Sequence, residues 1–226
     1  MRSASRAEER TTATREAIRD AAIARFGRDG LDAGLRAIAA DAGVSPALIV
    51  HHFGSKDGLR AACDAHVLAV VHAQKSAAVS QGGPGAMLAA MASLDEYVPV
   101  VAYCLQAVQA GGEIARLFLE QFIADAEEYI AEGVAAGTIK PSRDEKARAT
   151  YLTLSGFSAI LLDMRLHPPA DPGDLGAIMR GYLARTGLPS LELFTQGFFT
   201  DHRMLDEYLM YVTDPPPPDR PDAPAP

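Results

Sequence analysis

The stretch that decides the fold is residues 42–59, AGVSPALIVHHFGSKDGL. Ser45 can cap a helix by accepting a hydrogen bond from a backbone N–H group. Pro46 then occupies the first helical position, where its missing N–H costs nothing. Ser55 and Lys56 begin another helix soon afterwards. The stretch therefore predicts a very short helix with a polar tip, followed at once by a second helix.

Outward from this stretch, apolar residues recur at helical spacing, and no alternating β-branched run stands out. The chain is therefore predicted to be all-α. In its first part the predicted helices cover about residues 12–28, 35–41, 46–52 and 56–78. A short helix, a turn at Gly43 and a second short helix have the spacing of a helix-turn-helix.

Beyond the breaker SQGGPG, residues 80–85, the chain is again helical. Ser142 and Glu145 have the spacing of a capping box. The middle of the helix that they begin, YLTLSGFSAILL, is apolar on nearly every face and is predicted to be buried all round. The predicted helices of this part lie within residues 86–110, where Pro99 interrupts them, and at 113–136, 141–166, 174–186 and 190–212. The proline-rich tail, residues 213–226, is predicted to be disordered.

Composition and charge narrow the function. The chain has 226 residues, 48% of them hydrophobic, and a net charge of −8. Residues 1–60 hold ten Lys and Arg against eight Asp and Glu, whereas the remainder holds eleven against twenty-one. Only the N-terminal part is therefore suited to a polyanion. No signal peptide and no apolar run of about 18 residues is present, so a cytoplasmic protein is expected.

Residues 14–68 resemble the DNA-binding domain of the TetR family of transcriptional regulators. The residues that carry the resemblance are Thr14-Arg15, Ala21-Ala22, Phe26, Gly30, Ile38-Ala39, Ala42-Gly43-Val44-Ser45, His52-Phe53, Ser55-Lys56 and Leu59. The resemblance implies a DNA-binding domain at 1–60 and a larger effector-binding and dimerisation domain at 61–212. It also implies a homodimer that binds a pseudo-palindromic double-stranded DNA operator, as a repressor that a small effector releases.

The chain departs from the family pattern at three places. Val50 stands where the family usually has a Tyr that touches a phosphate, so this contact is lost or moved to His51. Pro46 replaces the usual Lys after the cap. The stretch between Gly30 and Ile38 is one residue shorter than usual, which displaces Arg36.

The DNA contacts are predicted from the second helix of the helix-turn-helix, residues 46–52, which we call the recognition helix, and from its neighbours. Ala47 is small enough for the helix to approach base edges, and His51 and His52 offer polar tips. Lys56 and the N-terminal N–H groups of the fourth helix form an anion site. The candidate DNA-binding residues are Arg36, Ser45, Pro46, Ala47, Val50, His51, His52 and Lys56.

The second domain is predicted to hold the effector and the partner subunit. Few charged residues are available for burial in its helices, so a largely apolar effector is favoured. The candidate effector-binding residues are Met87, Met91, Tyr97, Tyr103, Phe118, Phe122, Tyr151 and Met164. The resemblance places the dimer interface on the last long helices, with Leu152, Gly156, Ala159, Asp163, Phe194, Phe198, Leu205 and Tyr208 as candidates.

Other classes of protein remain as alternatives. An enzyme is not expected, because no HExxH, G-x-S-x-G or P-loop motif is present, and no cofactor is implied. A metal- or redox-sensing regulator would use Cys63, His66 and Cys104, but these lack a recognised ligand spacing. His66, His72, His167 and His202 are dispersed and are interpreted as structural or solvated, so no metal site is predicted. A helical scaffold without DNA binding is the third alternative.

Overall fold

A computed structural model of the chain describes residues 2–81, 94–171 and 174–211, and these ranges contain helices and no strand. Met87, Met91, most of the predicted breaker and the predicted disordered tail lie outside the described residues. No helix in the described ranges has the length and hydropathy to cross a membrane. The helices are α1 (Arg2–Asp29), α2 (Leu35–Asp41), α3 (Pro46–Phe53), α4 (Lys56–Gln81), α5 (Leu94–Gln109), α6 (Gly112–Ala135), α7 (Glu145–Leu166), α8 (Leu175–Gln196) and α9 (Arg203–Leu209).

The first four helices form the predicted helix-turn-helix unit. Each turns its apolar stripe inward, and the buried residues are Ile18, Ala22 and Phe26 of α1, Ile38 and Ala39 of α2, Ile49 of α3, and Leu59, Cys63 and Val67 of α4. The side-chain oxygen of Ser45 accepts a hydrogen bond from the Leu48 N–H at 3.2 Å, which caps α3 as predicted. Gly54, at φ 77°, ends α3 in a left-handed conformation that favours glycine. The local chemistry of residues 45–54 therefore fixes both ends of this short helix.

One hydrophobic core joins this unit to the helices that follow it. α1 packs against α5, and a Cβ atom at Gly27 would lie only 2.7 Å from the Cβ of Ala102. The Tyr103 ring, which is fully buried, contacts Phe26 of α1 and Phe118 of α6, with centroids 6.2 and 6.4 Å apart. The core therefore runs without a break from α1 to α6.

The start of α7 differs from the prediction. The helix begins at Glu145 and not at Pro141, because Asp144 is the cap and accepts a hydrogen bond from the Ala147 N–H at 2.9 Å. Half of the predicted capping box is present: the Ser142 N–H donates to the Glu145 carboxylate at 2.8 Å. The Ser142 hydroxyl accepts instead from the Asp144 N–H, which places it outside the helix.

The outer face of α7 is not buried within the chain, so the prediction of burial all round is wrong. Tyr151 is 71% exposed and Leu162 is 62% exposed. The inner face packs on α6, where Ala126, Ile130 and Ala149 form a second core. An apolar sequence shows that a helix face avoids water, but it does not show which molecule covers that face.

The last helices also differ from the prediction. The expected break between residues 186 and 190 is absent, because α8 continues through Pro189 to Gln196. The helix ends where Gly197 adopts φ 82°. A further helix, α9, then spans Arg203–Leu209. Almost every residue from 191 to 211 is exposed in the single chain.

Candidate DNA interface

The short helix α3 presents one free face. Ile49 is fully buried, whereas Ala47, Val50 and His51 are exposed. Val50 and His51 follow Ala47 by three and four positions, so both lie on the same side of the helix as Ala47. An α-helix with its side chains is about 10–12 Å in diameter, and the DNA major groove is about 12 Å wide. The outer face of α3 has the size and the freedom to enter that groove.

The N-terminus of α3 is exposed and already capped. Ser45 and Pro46 are both accessible, and the Ser45 oxygen holds the Leu48 N–H. The first N–H groups of any helix lack partners within that helix, and they attract phosphate. Pro46 has no N–H to add, so the nearest donor on this tip is Ala47. The N-terminus of α3 therefore carries small uncharged side chains that allow close contact with DNA, and no charged side chain.

The two histidines have different surroundings. The imidazole of His51 is exposed, whereas His52 is half-buried, and its ring meets that of Phe53 with the centroids 6.4 Å apart. His51 is therefore free to contact DNA, while His52 also packs on the domain. Arg36 is exposed in the first turn of α2, which begins at Leu35 as predicted.

Lys56 lies at the start of α4, beside the recognition helix. Its ammonium group is 6.0 Å from the centroid of the Phe26 ring, so the apolar stem of the side chain covers the core and the charge stays at the surface. The Ser55 hydroxyl oxygen caps α4 by accepting from the Gly58 N–H at 3.0 Å. The exposed Asp57 carboxylate, 3.9 Å from the Arg60 guanidinium, adds a negative charge to the same turn.

Sequence reasoning missed one cation at this surface. The Arg15 guanidinium of α1 stacks 5.0 Å from the centroid of the Phe53 ring, at the end of α3. Its position in the sequence gives no sign of this contact, because the two residues are 38 positions apart. Arg15 is exposed, so it adds a positive charge near the C-terminal end of α3, where α4 begins with Lys56.

Two other arginines of the N-terminal part form ion pairs within the protein. The Arg25 guanidinium donates to Asp41 at 2.6 Å and to Asp29 at 2.7 Å, and Arg28 contacts both carboxylates. These bonds hold the pKa of Asp41 and that of Asp29 below their usual range. The positive charge counted in residues 1–60 is therefore partly used to join α1 to α2.

The predicted effector residues do not form a single group. Tyr103 and Phe118 are buried, and half-buried Phe122 continues the row of rings to Phe157, 5.0 Å away. The Tyr103 hydroxyl donates to the Asp64 carboxylate at 2.6 Å, and burial raises the pKa of both groups.

The other effector candidates lie apart from this row. Tyr97 is half-buried and accepts a hydrogen bond from Gln74 of α4. Met164 is half-buried, whereas Tyr151 lies at the surface, on the outer face of α7. Tyr151 therefore does not share the interior with the aromatic row.

Most of the predicted dimer residues are exposed in the single chain. Gly156 and Ala159 are exposed on α7. Leu152 packs partly against the second core. The Asp163 carboxylate is buried and accepts from Arg185 of α8 at 2.9 Å, so within the chain it joins two helices. The remaining candidates are exposed apolar side chains: Phe194, Phe198, Leu205 and Tyr208.

Both cysteines are buried, so neither lies among the exposed side chains of the candidate DNA interface. The Cys63 thiol donates to the Arg19 carbonyl at 3.8 Å. Burial raises the pKa of Cys63 and that of Cys104 to about 12. Burial therefore favours the protonated thiol in the metal-free chain. The sensor built on Cys63, His66 and Cys104 remains an alternative.

Comparisons with known proteins match both parts of this architecture. Residues 18–63 match the family model described as bacterial regulatory proteins, tetR family. Residues 95–200 match a model described as tetracyclin repressor-like, C-terminal domain. The chain is 47% identical over 192 residues to the HTH-type transcriptional regulatory protein RaaS of Mycobacterium tuberculosis (strain ATCC 25618 / H37Rv), an alignment that covers 85% of this chain and 90% of that protein. With a helix-turn-helix whose recognition face is free and a helical body behind it, the chain belongs to the TetR family of DNA-binding transcriptional regulators.

Proposed function

We propose that the protein is a homodimeric repressor that leaves a pseudo-palindromic operator when a small, largely apolar effector enters its second domain. The main support for this proposal is a row of packed aromatic rings that runs from α1 of the DNA-binding unit to α6: Phe26, Tyr103, Phe118 and Phe122. The proposed mechanism needs no catalytic residue and no cofactor. It acts where bacterial DNA lies, in the cytoplasm.

On DNA, the outer face of α3 is proposed to lie in the major groove. Ala47 and His51 then face base edges, and the small Ala47 side chain lets the helix tip come close. Arg15, stacked on Phe53 at the end of α3, and Lys56, at the start of α4, are proposed to contact phosphates. Val50, 44% exposed on the same face, replaces a polar contact with an apolar one. Base preference should therefore depend on His51, and general affinity on the two cations.

The homodimer is proposed to form through the apolar surface of α7, α8 and α9. Within one chain this surface leaves a large set of apolar side chains in water, which is typical of an interaction site. A two-fold dimer would place two α3 helices for two half-sites about one helical turn apart, or a multiple of it. The exposed large apolar side chains on these helices are Tyr151, Leu154, Leu162, Leu166, Leu188, Leu191, Leu193, Phe194, Met204, Leu205 and Tyr208.

Effector and DNA are proposed to communicate through the aromatic row. Half-buried Phe122 lies in this row next to Phe157, and Phe118, Tyr103 and Phe26 continue the row to the Lys56 side chain. An apolar molecule that displaces Phe122 would shift this packed row and with it α1 and α4. By linkage, effector and operator must weaken each other by one common factor, typically about 5- to 150-fold.

The effector is proposed to contact the half-buried residues and not the packed ones. Tyr97, Phe122 and Met164 combine partial burial with apolar surface. Tyr103 and Phe118 are buried in the core. Met87 and Met91, predicted with this group, lie outside the described residues and remain candidates from the sequence alone.

The DNA part is tested with operators selected from a random duplex pool by the full-length protein. Fluorescence anisotropy over a series of salt concentrations then compares Lys56→Ala with Lys140→Ala, which makes the same charge change on the exposed body. We expect Lys56→Ala to weaken binding to every sequence and to lower the salt slope by about one. His51→Ala should change the preferred sequence. Unchanged affinity, slope and preference in both DNA-side variants would reject this docking.

The effector part is tested with a thermal-shift screen of apolar compounds, followed by competition with the operator. A compound that binds the free protein should bind the operator complex more weakly. The factor should equal the one by which the compound lowers the affinity of the protein for DNA. Phe122→Trp, which adds volume at a half-buried position of the row, should abolish the response and leave DNA affinity unchanged. Equal effector affinity for the free and DNA-bound protein would contradict the release mechanism.

A further inference from the structure

Helices α4 and α6 bring together a set of metal-ligating side chains that the proposed function does not use. His72 lies on α4, and Asp125 and Glu128 lie on α6. One ligand atom from each of the three lies within 4.8 Å of the others. Asp125 and Glu128 are three residues apart, so their carboxylates share the side of α6 that faces His72. The cluster therefore combines an imidazole with two carboxylates from two packed helices.

The distances are close to those that a bound ion requires. The His72 Nδ1 atom is 2.7 Å from the Asp125 Oδ1 atom, and the Nε2 atom is 3.7 Å from Glu132 Oε1, one turn further along α6. Ligand atoms bound at about 2.0–2.2 Å to one ion are separated by about 3–3.5 Å. Small rotations of exposed Glu128 would close the set, because its side chain is free to move in solvent.

A second observation concerns the inner oxygen of Asp125. Its Oδ2 atom is buried and has no hydrogen-bond partner in the described part of the chain. A buried carboxylate oxygen without a donor carries a desolvation penalty. A cation at the cluster would supply the missing partner. It would also offset the repulsion among Asp125, Glu128 and Glu132, which lie on consecutive turns of one helix.

We propose that His72, Asp125 and Glu128 form a site for a divalent transition-metal ion of the Mn²⁺ and Zn²⁺ class. Imidazole favours these ions over Mg²⁺ and Ca²⁺, and carboxylates complete a mixed nitrogen and oxygen set. The three protein ligands leave positions for water. Because His72 stands on the helix that follows the recognition helix, the ion ties α4 to α6.

The test uses the full-length protein, stripped with a chelator and titrated with MnCl₂, while the signal of free Mn²⁺ is followed by electron paramagnetic resonance. We expect one Mn²⁺ per chain, displaced by ZnCl₂ but not by a large excess of MgCl₂. Glu128→Gln and His72→Gln should each weaken Mn²⁺ binding by about tenfold or more. Two control variants make the same substitutions outside the site: Glu127→Gln on α6 matches Glu128→Gln, and His66→Gln on α4 matches His72→Gln. Both controls should bind Mn²⁺ as the parent protein does.

The exposed Glu128 keeps the test independent of folding, since its replacement removes no buried contact, and circular dichroism checks the His72 variant. Three results would overturn the proposal. They are no stoichiometric Mn²⁺ binding, equal displacement by Mg²⁺, or binding that is unaffected by Glu128→Gln and His72→Gln. Equal displacement by Mg²⁺ would show a site that does not select transition-metal ions, and the other two results would leave the His72–Asp125 contact as a hydrogen bond between helices.

Discussion

Replacing Phe194 by Ser should separate the proposed dimer. Phe194 is 73% exposed in the single chain, on the part of α8 that projects beyond the body. Burying a Phe side chain contributes about 1.5–3 kcal/mol, and we take about 2 kcal/mol for a ring that is partly covered already. A two-fold interface uses the residue twice, so the substitution should cost about 4 kcal/mol of dimerisation free energy. At about 1.4 kcal/mol per factor of ten, the dimer dissociation constant should rise by about three orders of magnitude.

Sedimentation equilibrium over a range of protein concentrations measures this constant. Leu117→Ser is the matched control, because Leu117 is an apolar side chain, 45% exposed, on a different helix. It should leave the dimer intact, and circular dichroism should show unchanged helix content in both proteins. A parent protein that is monomeric at micromolar concentration, or a Phe194 variant that dimerises as the parent does, would refute the reasoning. Loss of dimers in both variants would show that the surface of α7 to α9 is not the interface.

Three further substitutions test the fold and its electrostatics. Ser45→Ala removes the cap of the recognition helix and should lower the free energy of unfolding by about 1 kcal/mol, measured by urea denaturation. Gly27→Ala places a Cβ atom 2.7 Å from that of Ala102, so it should cost about 1–3 kcal/mol although alanine is the better helix former; a gain in stability would contradict the close approach of α1 and α5. The hydrogen bond from Arg185 lowers the pKa of Asp163 in the folded protein. The pair therefore stabilises the fold at pH values above the ordinary Asp pKa of about 3.9. This stabilisation is lost as the pH falls through the folded-state pKa of Asp163. Asp163→Asn should therefore be less stable at pH 7 and lose less stability than the parent between pH 5 and pH 3, and parallel pH profiles would show that the pair is not coupled to folding.

Local sequence chemistry determined the DNA-binding unit. Ser45, Pro46 and Gly54 act on the residues next to them, so the limits of α3 follow from capping, a fixed φ and a left-handed turn. The apolar stripe of α4 likewise follows from helical spacing, and Leu59, Cys63 and Val67 are buried as that spacing predicts. These are short-range effects, and they are readable without knowledge of the rest of the chain.

Tertiary structure decided what depends on distant partners. Helical spacing marked Tyr151 and Leu162 as apolar but could not show that α6 covers only one side of their helix. The stacking of Arg15 on Phe53 was equally hidden from the sequence.

The cluster of His72 and Asp125 shows the same limit most clearly. These residues are 53 positions apart, and each alone is typical of a solvated helix surface. Spacing along the chain determines which side of a helix a residue occupies, but only the packing of α4 against α6 determines which side chains meet, because the contact energy belongs to both helices at once.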